Sequence, residues 1–328
     1  MFRLARAARW PLSILLLFVV LQHQCAPAFS VHSSATLTVA LAISGYAAHA
    51  AVIRQFVASL SSNVLQPSYT IAFDAVVWLQ DEPAELAMCK LLVATRRFRA
   101  VRTRSEHLHQ LPAIYSEREE AVVQREYDRL PRASLLPGTF NTLRMLFKMA
   151  GVEVLRALPP TSEDVSAWSS DHDFVLRMRP DLMLFGPLHV PPPLMDGARA
   201  SKLGLEPSAI LVPWACPGSQ LLFDQFQLLR HDQARRLSLL AAPGAIASLA
   251  NWSLPPSTYP ERMVWHAMAR AGIPYARADF PQTALLVFDK VSGTLKVRDS
   301  YGKLRVDFPE CAGEELGGYP AVPMYSLP

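Results

Sequence analysis

The stretch that decides the fold is "DHDFVLRMRPDLMLF", residues 171–185. In extended backbone, side chains alternate, so Val175, Arg177, Arg179 and Asp181 share one face while Phe174, Leu176 and Met178 share the other. Pro180 biases Arg179 toward the extended region, which carries the alternation on to Asp181. An apolar strand of this kind hands two guanidiniums and a carboxylate to its carboxyl end. In open parallel α/β sheets, ligands bind outside the carboxyl ends of the strands. Ion pairing at a sheet edge accounts for the same residues without a ligand, and both readings stay open.

The segments around it alternate strand and helix. "LTVALAIS" places Leu37, Val39, Leu41 and Ile43 on one strand face, and Gly45 ends it. The next stretch sets Val52, Ile53, Phe56, Val57 and Leu60 on one helical stripe, and "IAFDAVVWL" reads as the following strand. Strand, glycine turn, helix and strand at this spacing form a βαβ unit, which implies a parallel sheet. A helix near 84–95, a strand at "FRAVRT" and a polar excursion over 104–136 follow. "TFNTLRMLFKMAG" is helical in phase, with Gly151 read as its C-cap.

Beyond the opening stretch, "HVPPPLMDG" reads as loop and "AILVPW" as a buried strand. "LLFDQFQLLRHDQARRLSLL" leads into a helix, and residues 241–258 read as loop. "YPERMVWHAMARAGIPY" is a helix with Pro260 in its first turn, Gly272 at its end and Pro274 just beyond. "ALLVFDK" and "TLKVRDS" flank a turn as a β-hairpin near the carboxyl end. The expected architecture is α/β, a mainly parallel sheet flanked by helices, with a small C-terminal β-hairpin. Residues 31–328 make a single domain.

Composition narrows the function classes. The chain has 328 residues, 51% hydrophobic and 18% charged, which suits a large packed core. Its formal net charge of +4 is spread along the sequence rather than gathered in a block, so no nucleic-acid partner is expected. Cys25, Cys89, Cys216 and Cys311 form no CxxC pair, which argues against structural zinc and leaves room for a single disulfide. No G-x-S-x-G elbow marks a serine hydrolase.

Residues 1–30 combine a basic start, a short apolar core and an A-x-A site ending at Ala28, the parts of a secretory signal peptide or short signal anchor. A lumenal location in the Golgi or ER follows as an expectation, with membrane association only through that N-terminal segment. A plastid leader is the alternative, because Phe29 directly follows the cleavage site. Asn251-Trp-Ser253 is a glycosylation sequon that fits the lumen.

Two arginines can hold a diphosphate through charge-assisted, bidentate bonds, and a carboxylate at a strand end can ligate a divalent cation bridging the phosphates. The order of "LTVALAISGY", "FDAVVWLQ", "NTLRMLFKMAG", "DHDFVLRMRPDL", "LVPWACPGSQLLFDQFQLLR" and "YPERMVWHAMARAGI" resembles a family of lumenal glycosyltransferases with a GT-A-like nucleotide-diphospho-sugar fold, over about residues 36 to 275. The resemblance implies sugar transfer from a nucleotide-sugar donor to a glycan or glycoconjugate hydroxyl. It marks Asp181 as the metal- or phosphate-side acid with Arg177 and Arg179 beside it, and implies Mn2+ or Mg2+ as cofactor. It marks Asp224 of "FDQF" and Glu261 of "YPERM" as candidate catalytic acids, and Gly45 as the turn that lets the nucleotide approach the backbone.

Each of these residues also has a purely structural explanation. Glu261 suits a helix first turn, Asp224 can cap the turn into a helix, and Gly45 can serve a plain strand-to-helix turn. Two features depart from the family pattern. Tyr46 and His49 stand where an arginine is common, and "R-x-R-P-D" replaces a D-x-D. A catalytically inactive carbohydrate- or nucleotide-binding protein of the same fold is therefore the alternative function.

Overall fold

The computed structural model describes residues 37–47, 49–64, 71–132, 137–160, 168, 171–186, 210–240, 259–277, 282–299, 306–311 and 325–327. The expected signal segment, the sequon and the proline-rich loop after residue 186 lie outside the described residues. Among the described residues, no helix is long and apolar enough to cross a membrane.

The amino-terminal half runs β1 (Leu37–Ser44), α1 (Ala50–Asn63), β2 (Ile71–Trp78), α2 (Glu82–Ala94) and β3 (Phe98–Thr103). Single helical turns at Arg104–His107 and Ala113–Ser116 then lead to α3 (Glu119–Arg129) and the long α4 (Thr139–Ala157). The second half contributes β4 (Phe174–Met178), β5 (Leu182–Phe185), β6 (Ile210–Val212), β7 (Ala215–Cys216), β8 (Leu221–Leu222) and β9 (Phe226–Arg230). It continues with α5 (His231–Leu240), α6 (Pro260–Ala271), β10 (Tyr275–Arg277), β11 (Gln282–Asp289), β12 (Thr294–Asp299) and β13 (Tyr325–Leu327).

Among the described residues, seven strands form the central sheet in the order β10-β6-β9-β4-β1-β2-β3. The pairs β3–β2, β2–β1, β1–β4 and β6–β10 are parallel, and β9 runs antiparallel between β4 and β6. The expected class, α/β with a mainly parallel sheet flanked by helices, is what the chain forms. Buried apolar residues on both faces of β1, among them Ala40, Leu41, Ala42 and Ile43, place that strand at the centre of the core. Helices α1 and α2 pack on each other, while α4 packs against α3 and α5, and α5 against α6.

The hairpin of β11 and β12 forms as expected, inside a second, antiparallel sheet of order β13-β12-β11-β5. That sheet claims the end of the opening stretch, which alternation alone had carried unbroken to Asp181. The strand stops instead at Met178, and Leu182–Phe185 pairs with β11. Pro180 has no N–H to give a ladder, so the chain turns there and changes sheets.

Gly151 also differs from its expected place. It sits inside α4 rather than at its end, because the Trp78 ring occupies the space a side chain would need; a Cβ there would lie 2.5 Å from ring atom Cζ3. The end of α6 follows expectation, with Gly272 at φ +61° in the left-handed region.

Candidate functional site

The carboxyl ends of β4, β1, β2 and β3 lie side by side along one rim of the sheet. Register sets Ile43 against Met178, so Gly45 and the Arg179–Pro180 turn emerge next to each other. Gly45 has φ +148°, and a Cβ on it would meet Pro180 Cδ at 2.8 Å. The glycine is required by this close approach of two strand ends. Its carbonyl accepts a hydrogen bond from Lys148 Nζ at 3.2 Å. It lies on the rim, and what it visibly accommodates is the proline.

Arg179 is fixed from both ends. Its backbone N–H donates to the Gln225 carbonyl at 3.1 Å, which ties the end of β4 to the start of β9. Its guanidinium grips Asp181 bidentately, Nε to Oδ1 at 3.0 Å and Nη2 to Oδ2 at 2.7 Å. Both side chains are partly open to solvent, Arg179 more so than Asp181.

Two buried acids act on this pair. Asp224 follows β8 and Glu261 stands in the first turn of α6; their residues are 4% and 7% exposed. Neither carboxylate oxygen of Asp224 has a partner at ordinary hydrogen-bond distance and angle, although Glu261 stands near enough to act on it as a hydrogen-bonding neighbour. Burial pushes the Asp224 carboxyl up to about 6, with the Arg179 charge opposing and the Asp181 charge adding to the rise. Burial also works against the charge of Arg179, but Asp181, Asp224 and Glu261 together overcome it and hold the guanidinium above its ordinary range. The structure therefore gathers Arg179, Asp181, Asp224 and Glu261 into one cluster from three separate parts of the chain.

Arg177 lies one step deeper in the sheet and does something else. It is buried, donating to Gln227 Oε1 on β9 and to Ser238 Oγ on α5, both at 3.3 Å. Burial pushes it down to about 10, countered by the charge of Glu153. Its guanidinium is spent on joining β4, β9 and α5.

Trp214 and His49 are packed into the fold. Trp214 is fully buried. His49 caps α1, its Nδ1 accepting from the Ala51 N–H at 3.2 Å, and its ring stacks on Phe288 at 3.5 Å.

Two contributors escaped the sequence reading. Gln225, whose carbonyl positions Arg179, is the neighbour of Asp224 in "FDQF" and could have been found from that motif. Lys148 supports the Gly45 turn from α4 and pairs with buried Glu119, Nζ to Oε1 at 3.5 Å. Burial lowers Lys148 and raises Glu119, each partly offset by the partner's charge. A lysine inside the apolar run "MLFKMAG" was the available signal.

Asp181, expected to carry Mn2+ or Mg2+, has both oxygens engaged by Arg179. Among the described residues, no three acidic, histidine or cysteine side chains converge as a metal-holding group. As arranged, the described side chains around Asp181 do not form a set of ligands for a metal ion.

No family model matches the chain, and no curated protein matches it. Among solved structures, the crystal structure of mouse xyloside xylosyltransferase 1 in its apo form is similar to it at 11% identity and a TM-score of 0.43, over 74% of this chain and 86% of that one. A likeness of that size assigns no activity.

Proposed function

We propose that the chain is a glycosyltransferase that takes a sugar from a nucleotide-diphospho-sugar and passes it to a hydroxyl of a glycan or glycoconjugate. The observation that carries the reading is the convergence of Arg179, Asp181, Asp224 and Glu261 at the carboxyl-end rim of a mainly parallel sheet. These are four of the six residues that the glycosyltransferase resemblance marks, and the rim is where open α/β sheets hold ligands. A disulfide between Cys216 and Cys311 accords with an oxidising, lumenal compartment.

In this reading the partly exposed guanidinium of Arg179 faces the donor diphosphate. In an inverting displacement the acceptor oxygen bonds to the anomeric carbon as the bond from that carbon to the diphosphate oxygen breaks. The diphosphate departs with the electron pair, and Arg179 stabilises its charge. The acceptor proton passes to Asp224, whose raised carboxyl lies nearer neutrality than an ordinary aspartate. The Asp224 oxygens are buried.

The test is a thermal-shift titration of the full chain against nucleotide-sugars and free nucleoside diphosphates, followed by turnover assays with the donor that binds. A ligand that binds only the native state raises the melting point. A shift with one donor plus sugar release to an acceptor supports the transferase. Binding without turnover across several acceptors supports the inactive binding protein, and no shift with any nucleotide removes the reading.

A further inference from the structure

Three carboxylates and one guanidinium share the rim, and their arrangement bears on how a diphosphate would be neutralised there. This question rests on the proposed function. Asp181 gives both oxygens to Arg179 in a planar, two-bonded contact at 3.0 and 2.7 Å. Asp224, 4% exposed and with both oxygens short of a hydrogen-bond partner, has Arg179 as the cation acting on it, and Glu261 acts on Arg179 from the first turn of α6. The guanidinium is thus paired with one carboxylate and acted on by two others.

It is also held there by backbone. The Arg179 N–H is tied to the Gln225 carbonyl, and Pro180 is wedged against Gly45 at a distance that leaves no room for a side chain. We infer that this site binds its nucleoside diphosphate without a divalent metal, with Arg179 serving as the cation among Asp181, Asp224 and Glu261.

The chemistry is adequate to the task. A metal ion in such a site bridges phosphate oxygens and neutralises the charge on the leaving group. A guanidinium does the same through two parallel N–H···O bonds to a phosphate. Arg179 already makes that pair of bonds to Asp181, so two phosphate oxygens can take the place of the two carboxylate oxygens. The Glu261 charge continues to favour the protonated guanidinium.

The deciding measurement is the affinity of the unaltered full chain for UDP, GDP, ADP and CDP, read by thermal shift and calorimetry, first with EDTA and then with Mn2+ or Mg2+. One diphosphate is expected to bind in EDTA with a Kd within about threefold of its value in metal, whereas Arg179→Lys, which keeps the charge but loses the planar fork, weakens it by about tenfold. Binding that appears only when metal is added overturns the inference and leaves the proposed function standing. Equal binding by Arg179→Lys overturns it as well, because the guanidinium would then not be the phosphate contact. Failure of every diphosphate under both conditions overturns the proposed function itself. The chelator comparison needs no variant, so a substitution that fails to fold does not blunt it.

Discussion

Asp224 is a carboxyl that burial drives upward and a neighbouring guanidinium holds down, and the balance leaves it at about 6 against an ordinary value of 3.8. Between those values the folded chain binds more of this proton than the unfolded chain does. The resulting stability is fully present below the unfolded value and is lost as pH rises through the folded one. Asp224→Asn removes that dependence. From about pH 4 to pH 7 the wild-type chain should lose on the order of 3 kcal/mol relative to the variant, read from paired urea-unfolding curves. Parallel curves for the two proteins would show that Asp224 is not perturbed. The same substitution should lower turnover by about 100- to 10,000-fold if Asp224 takes the acceptor proton. A variant with gained stability at neutral pH and lost activity is what distinguishes a functional acid from a structural one.

Individual elements show what the sequence could and could not reveal. Helix α6 was fully legible, since Pro260, the apolar stripe and Gly272 are local signals of start, phase and stop. The strand β9 was not, because Phe226–Arg230 runs straight into α5 with no glycine or proline between them. Its antiparallel place between β4 and β6 is set by pairing with distant partners. Within the site, Arg179, Asp181, Asp224 and Glu261 could be picked out by motif. Arg177 shares the motif and is nevertheless buried, because the partners that claim it, Gln227 and Ser238, lie 50 and 61 residues away.

Gly151 teaches the same lesson within one helix. Local rules make it a stop, yet α4 runs through it because the Trp78 ring fills the space beside it. Alanine would gain up to about 1 kcal/mol of helix propensity but place its methyl inside the ring's contact distance. Overpacking of that kind costs about 1–3 kcal/mol, so Gly151→Ala should lower the unfolding midpoint. A raised midpoint would mean that Trp78 moves aside freely.

At the scale of the whole molecule, the rim is assembled from distant parts of the chain, and a single cross-link holds one flank. Cys216, at the end of β7, is bonded to Cys311, 95 residues later. Around that bond Ser219 donates to Glu310, Arg262 donates to the Ser219 carbonyl at 3.2 Å, and Tyr259 donates to Asp307. Phe308 packs edge-on against Tyr259. These contacts anchor the start of α6, which carries Glu261 into the acidic set. Closing a loop of this length restricts the unfolded chain by about 4–5 kcal/mol in the chain-entropy model. Reduction, or Cys216→Ser with Cys311→Ser, should therefore lower the melting temperature of the full chain substantially. If the bond also positions Glu261, the reduced protein at a temperature where it remains folded should bind its nucleoside diphosphate with altered affinity. A large loss of stability with binding untouched would make the bond a brace for the fold alone, whereas loss of both would connect the oxidation state of the compartment to the competence of the site.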